Sequence, residues 1–156
     1  MTIATGWTCT DAYGTLVGRL HRVTHTMNTV ALASVAALGL LLFGLGLAVS
    51  LLRFRKETLF GQPDDPNSLL CKLVRAHGNT AEYAGLIAVL VLYLGSRSPA
   101  PWVVWVMGAI TACRYVLVAG LVFPASLARP NVLRFVGALG TYACGAALCA
   151  ALISGA

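Results

Sequence analysis

Four runs of apolar residues dominate the chain, Thr29 to Leu52, Leu69 to Gly95, Trp102 to Phe123 and Val132 to Ser154. Each is long enough for a helix to cross the hydrocarbon of a bilayer, which takes roughly 20 residues. Their near-uniform apolarity predicts helices, because the strands of a membrane barrel are short and alternate between polar and apolar positions. Asp65-Pro66, Ser98-Pro99 and Arg129-Pro130 stand just ahead of the second, third and fourth runs, where a missing N–H is harmless, and Asp65 and Ser98 are residue types able to cap a helix. Pro124 closes the third run. Only "RFRKETLFGQPDDPNS", residues 53–68, is a long connection. The pattern therefore predicts an all-α integral membrane protein, an up-and-down bundle of four transmembrane helices.

Residues 1–28 break the pattern, being polar and mixed, with Arg19, His21, Arg22 and His25. Their charges come late and no small-residue cleavage site follows a short apolar core, so they do not read as a signal peptide. The expected organisation is an N-terminal extension over 1–28 and a four-helix domain over 29–154. In "HTMNTVALAS", Met27 stands directly before the first span, which raises it as the true start, with residues 1–26 otherwise a poorly ordered extension.

Composition agrees with the pattern. The chain is 58% hydrophobic and 10% charged, with a mean hydropathy of +0.82, far from the roughly one-quarter charged residues of soluble domains. The formal charge of +6 comes from 11 Lys and Arg against 5 Asp and Glu. These cations sit near span ends without interleaved exposed aromatics, so nucleic acid is excluded as the expected partner and topology is the better account. The ends joined by the first and third loops carry Arg53, Arg55, Lys56 and Arg129, with Lys72 and Arg134 just inside the spans; the other side has Arg97, with Arg19 and Arg22 if the extension counts. Basic loops stay in the cytoplasm, which puts the first and third loops inside and both termini outside. Of Cys9, Cys71, Cys113, Cys144 and Cys149, four lie in apolar segments, and no spacing suggests a metal site or a disulfide framework.

The second span carries an exception to its own apolarity. "LVRAHGNTAEYAG", residues 73–85, places Arg75, His77, Asn79 and Glu82 in a stretch that hydropathy assigns to the membrane. At 100° per residue Arg75, Asn79 and Glu82 fall within about 60° of arc, Lys72 lies about 60° from Arg75, and His77 takes the opposite face. This stripe is expected to turn into the bundle. Arg114 is the one charge of the third span and is expected to pair with Glu82 at mid-depth, while Arg134 lies one turn into the fourth. All the ionic groups gather toward the cytoplasmic half, a setting suited to a small anionic ligand meeting a lipophilic one. The structural alternative is a Glu82–Arg114 pair that fixes register, with Arg53, Arg55 and Arg134 as snorkelling anchors. Gly39, Gly44, Gly46, Gly137, Gly140 and Gly145 read as close-packing positions between helices, and Tyr142, Trp102 and Trp105 as packing and interfacial residues. The stripe stops halfway across, which leaves no polar path for a channel or transporter.

The segments "RFRK" at 53–56, "RAHGNTAEY" at 75–83, "CRY" at 113–115 and "LRFVGALGTY" at 133–142, in this order, resemble the MAPEG family, membrane-associated proteins in eicosanoid and glutathione metabolism. The resemblance covers residues 29–154, with R-A-H-x-N-x-x-E its most specific part, and the short loops are closer to bacterial members. It implies a homotrimer in a bacterial inner membrane, glutathione as co-substrate near the cytoplasmic side, and transferase or peroxidase action on lipophilic electrophiles or hydroperoxides drawn from the lipid. On the same ground Arg75, Asn79, Glu82, Tyr83 and Tyr115 would bind glutathione, Arg53 would reach the site from a neighbouring subunit, and Arg134 would stabilise the thiolate. Leu117 and Leu121 depart from the histidine and tyrosine of many members, and Gly78 from a bulkier residue. Those departures favour the alternative of a non-catalytic binding or scaffold protein on the same bundle.

Overall fold

The computed structural model of the chain describes residues 27–58, 60–61 and 65–155; residues 1–26, with Cys9 and all of the expected extension except Met27 and Asn28, lie outside the described residues. Four helices follow one another: α1, Thr29–Arg55; α2, Leu69–Gly95; α3, Pro101–Val122; and α4, Val132–Ser154. All four are long and apolar enough to cross a membrane. α2 and α4 coincide with their apolar runs. α1 continues three residues beyond its run because Arg53 and Arg55 occupy its last turn, where cations complement the helix dipole.

The caps differ from expectation. Asp65 and Ser98 cap nothing: α2 starts after Ser68, and α3 after Ala100 with Pro101 as its first residue, whose fixed φ suits that position. Asp65 instead accepts from Asn67 N at 2.9 Å within the preceding turn. The side-chain caps are asparagines. Asn28 Oδ1 accepts from Val30 N at 2.9 Å and Asn131 Oδ1 from Leu133 N at 2.8 Å, each serving an N–H that the helix leaves unpaired. Asn28 is thus part of the bundle.

Contacts between the ends fix the topology as up-and-down. Asn28 N donates to Gly95 O at 3.1 Å, joining the start of α1 to the end of α2, and Leu127 N donates to Pro66 O at 3.2 Å, joining the third loop to the first. At that same end Lys72 Nζ, on the first turn of α2, donates to Pro124 O at 2.6 Å and Ala125 O at 3.0 Å, just past α3.

The four helices do not form a closed square. α1 packs mainly on α2 and α4 mainly on α3, α2 and α3 meet across the short diagonal, and α1 and α4 do not touch. α2 and α4 meet only narrowly, so a cleft remains between them with α3 as its floor. One buried cluster, around Leu38, Val91, Met107 and Leu148, fills the half of the bundle away from the first and third loops; a smaller one, around Ala76, Leu117 and Leu121, lies beneath the cleft. Leu40, Phe43, Leu47, Trp105 and Ile153 are exposed on the outside. Such a surface aggregates in water and is at home in lipid, so helix association rests on close packing more than on hydrophobic transfer.

That packing is tightest between α3 and α4. A Cβ at Gly137 would lie 2.5 Å from Leu117 N and 2.7 Å from its Cα, and a Cβ at Gly120 would lie 2.5 Å from Arg134 N. The two backbones therefore touch, and the contact at Gly120 seats Arg134 against α3. Gly140 packs on Cys113 Sγ, but Gly39 and Gly44 have open space beside them, so the close-packing role expected of the glycines holds for α4 and not for those two.

Candidate functional site

The cleft between α2 and α4 contains a cavity of about 460 Å³ at the end where the first and third loops meet. α2 supplies Arg75 and Asn79, α3 supplies Arg114, Leu117 and Leu121, and α4 supplies Arg134, Ala138, Thr141 and Tyr142; residues 127–131 of the third loop complete the wall. Arg129 brings the arginines to four, and among the described residues no carboxylate lines the cavity. Four guanidinium groups around a partly apolar space favour an anion, because low-dielectric walls weaken screening.

Arg114 is 1% exposed. Its Nη2 donates to Asn79 O and Asn79 Oδ1, both at 2.9 Å, and reaches Thr80 Oγ1 at 3.5 Å, while its Nε is buried with no partner. The guanidinium also lies over the Tyr83 ring, 5.2 Å from the centroid. The expected partner, Glu82, is exposed on the outside of the single bundle. Asn79 takes its place for a physical reason: it stands about 60° round the helix from Glu82, and its amide oxygen and backbone carbonyl offer two acceptors without the desolvation of a buried carboxylate.

The polar stripe of α2 is accordingly split. Asn79 is half-buried and faces the cleft, Arg75 lines the cavity yet is exposed, and Glu82 faces out, so the expectation that the whole stripe turns into the bundle is corrected. Lys72 is 7% exposed and spends its ammonium on the loop carbonyls after α3, as a tie between helices instead of a wall of the site. His77 packs on α1, its Nε2 lying 3.2 Å from where a Cβ of Gly46 would sit, in keeping with a packing residue.

Arg134 is half-buried, and its Nη1 donates to Leu127 O at 3.0 Å, so the third loop holds it at the cavity wall. Tyr83 does not line the cavity but stands behind it, between Arg114 and Tyr142: its ring centroid is 6.0 Å from that of Tyr142 and its hydroxyl donates to the Tyr142 hydroxyl at 3.5 Å. Tyr115 and Arg53 are not in this cavity. Tyr115 Oη donates to Ala37 O of α1 at 2.9 Å, and Arg53 Nη2 donates to Gly61 O at 3.0 Å, with Arg53 Nε buried and unpaired.

Tyr142 and Arg129 line the cavity although neither was expected at the site. Tyr142 was detectable, since Arg134, Ala138 and Tyr142 recur at four-residue intervals and share a face of α4. Arg129 was not, because its place depends on the third loop folding back onto Pro66. Among the described residues no group of three or more His, Cys, Asp or Glu could hold a metal ion.

No curated protein and no solved structure gives a significant match. The chain's four segments in their order, its four apolar helices and the match of residues 31–154 to the family model lead to one conclusion: this chain belongs to the MAPEG family.

Proposed function

We propose that the chain is a membrane-bound, glutathione-dependent transferase or peroxidase acting on lipophilic electrophiles or hydroperoxides. The observation that carries this reading is the cavity with Arg75, Arg114, Arg129 and Arg134 and, among the described residues, no carboxylate, set in a cleft flanked by apolar helix faces. Glutathione offers two carboxylates and a thiol. Arginine is suited to carboxylates through paired N–H donors, and a guanidinium beside a thiol favours the thiolate, the form that attacks an electrophile. Arg75 and Asn79 would hold the peptide and Arg134 the sulfur, while the lipid supplies the second substrate.

The homotrimer belongs to the same proposal. Arg75 and Glu82 are exposed on the outer face of a single bundle at the depth of the spans, where charge without a protein partner is expensive, and neighbouring subunits would cover them. Glu82, Tyr83 and Tyr115 and a neighbour's Arg53 would then complete the peptide site. By the excess of basic residues the site faces the cytoplasm, in the inner membrane of a bacterium.

A second reading, a binding or scaffold protein without turnover, is favoured by Leu117 and Leu121, which give the α3 side of the cavity an apolar wall. Glutathione added to the purified protein distinguishes the two. Turnover requires an ultraviolet absorbance of the thiolate that disappears in Arg134→Ala, together with thermal stabilisation that grows with ligand as RT ln(1 + [L]/Kd), about 2.7 kcal/mol at a hundredfold excess over Kd. Absence of both signals, with lipids still stabilising, selects the scaffold reading.

A further inference from the structure

Among the described residues, two that line the cavity carry a hydroxyl, Thr141 and Tyr142. Thr141 Oγ1 donates to Gly137 O at 2.7 Å, so its proton is spent on its own helix. Tyr142 meets the Tyr83 hydroxyl at 3.5 Å and has no carbonyl acceptor among the described residues, so its proton is not tied to its own helix and is available to the cavity. Behind it, Tyr83 lies under the guanidinium of Arg114, a buried cation with an unpaired Nε and no salt bridge to a carboxylate among the described residues. A buried orphan donor is costly to leave unpaired, and this one stands next to the paired phenols. The apolar Leu117 and Leu121 supply no proton from the floor.

We propose that Tyr142 is the proton donor to the alkoxide released when a lipid hydroperoxide is reduced in this cavity, with Tyr83 and Arg114 as positioning residues. The inference rests on the glutathione reading and selects, within it, hydroperoxides as the substrate class. Tyr142 is eight residues beyond Arg134, about 12 Å along the axis of α4. A thiolate held by Arg134, a near-attack contact of about 3–3.5 Å, the O–O bond and a hydrogen bond of about 2.8 Å fill most of that span in line.

The thiolate sulfur attacks the distal oxygen of the hydroperoxide; an S–O bond forms, the O–O bond breaks, and its electron pair leaves on the proximal oxygen. That alkoxide takes the Tyr142 proton and departs as the alcohol. Charge on the Tyr142 oxygen shortens and strengthens the bond it accepts from Tyr83, whose ring carries the Arg114 cation on its face. The phenolate then regains the proton that the thiol released on ionising. The sulfenic acid formed on sulfur meets a second glutathione thiol, an S–S bond forms and water leaves, so sulfur is oxidised by two electrons and the peroxide is reduced to alcohol and water.

The test uses the full-length protein in detergent or lipid, with glutathione and cumene hydroperoxide. Tyr142→Phe is expected to lower kcat for hydroperoxide reduction about 10²-fold or more, the scale of general acid catalysis, with glutathione Kd and the thiolate absorbance retained; Tyr83→Phe, which keeps the ring over Arg114, is expected to lower it about tenfold, a smaller loss on the same scale. An unchanged kcat in Tyr142→Phe overturns the proposal, as does a loss of glutathione binding, which would make Tyr142 a peptide contact. Wild-type protein that binds glutathione and forms the thiolate but reduces no hydroperoxide overturns it and leaves the glutathione reading standing; wild-type protein that binds no glutathione sinks both.

Discussion

Lys72 and Arg114 are the two buried cations of the bundle, and neither is held by a carboxylate. Lys72 donates to the carbonyls of Pro124 and Ala125, and Arg114 to Asn79, so backbone and amide dipoles stand where counter-ions were expected. Neither cation is therefore neutralised by a salt bridge among the described residues, and the cavity keeps a net positive lining. Lys72→Met keeps the aliphatic stem and removes the donor, leaving two carbonyls short of partners; the expected loss is about 1–3 kcal/mol, seen as a lower Tm in detergent without change in the wavelength of the thiolate signal. A Tm equal to wild type would show that water serves those carbonyls as well as the lysine does. Residue type alone pointed to Arg75, Asn79 and Arg134 at the site, because charge and amide groups in a span stand out against their apolar surroundings. The partner of Arg114 was not legible, since Glu82 and Asn79 differ by less than a turn and only the packed helices decide which one meets it.

At the scale of elements, the boundaries of the helices followed from hydropathy because a span must be both long and apolar, whereas the caps did not. Three prolines suggested starts, but Asn28 and Asn131 do the capping, and an asparagine is equally at home in a turn. The α3–α4 pair shows what a glycine decides. Gly137→Ala places a methyl against the backbone of Leu117, which cannot swing aside as a side chain could, so the helices must part; overpacking of this kind costs typically about 1–3 kcal/mol. Because Arg134 rides on the same seam, the variant is expected to lose thermal stability and glutathione affinity together. Gly39→Ala, with open space beside it, is the matched control, and an equal drop in both variants would rule out the seam as the cause.

For the whole molecule, the proposed trimer rests on what a single bundle leaves exposed. Arg75 and Glu82 lie exposed at spanning depth, and the cleft between α2 and α4 is open on its flank, where a neighbouring chain would supply the missing wall. Native mass spectrometry of protein released from lipid is expected to give three copies, and Glu82→Leu to leave the fold while weakening the assembly. A monomer that binds glutathione as well as any larger species would contradict the proposed trimer.

The order of apolar runs, their length and the few charges within them determined the number of helices, the membrane as solvent and the end of the bundle where the polar and charged groups gather. Those properties depend on local hydropathy and on 3.6-residue periodicity, both readable along one dimension. The tertiary structure alone decided that α1 and α4 stay apart, that a cleft opens between α2 and α4, that Asn79 displaces Glu82 beside Arg114, and that Tyr142 joins the cavity wall. Each of these turns on which faces of different helices meet, and that is set by backbone contact at Gly120 and Gly137 and by the fold of the third loop, which no single helix encodes.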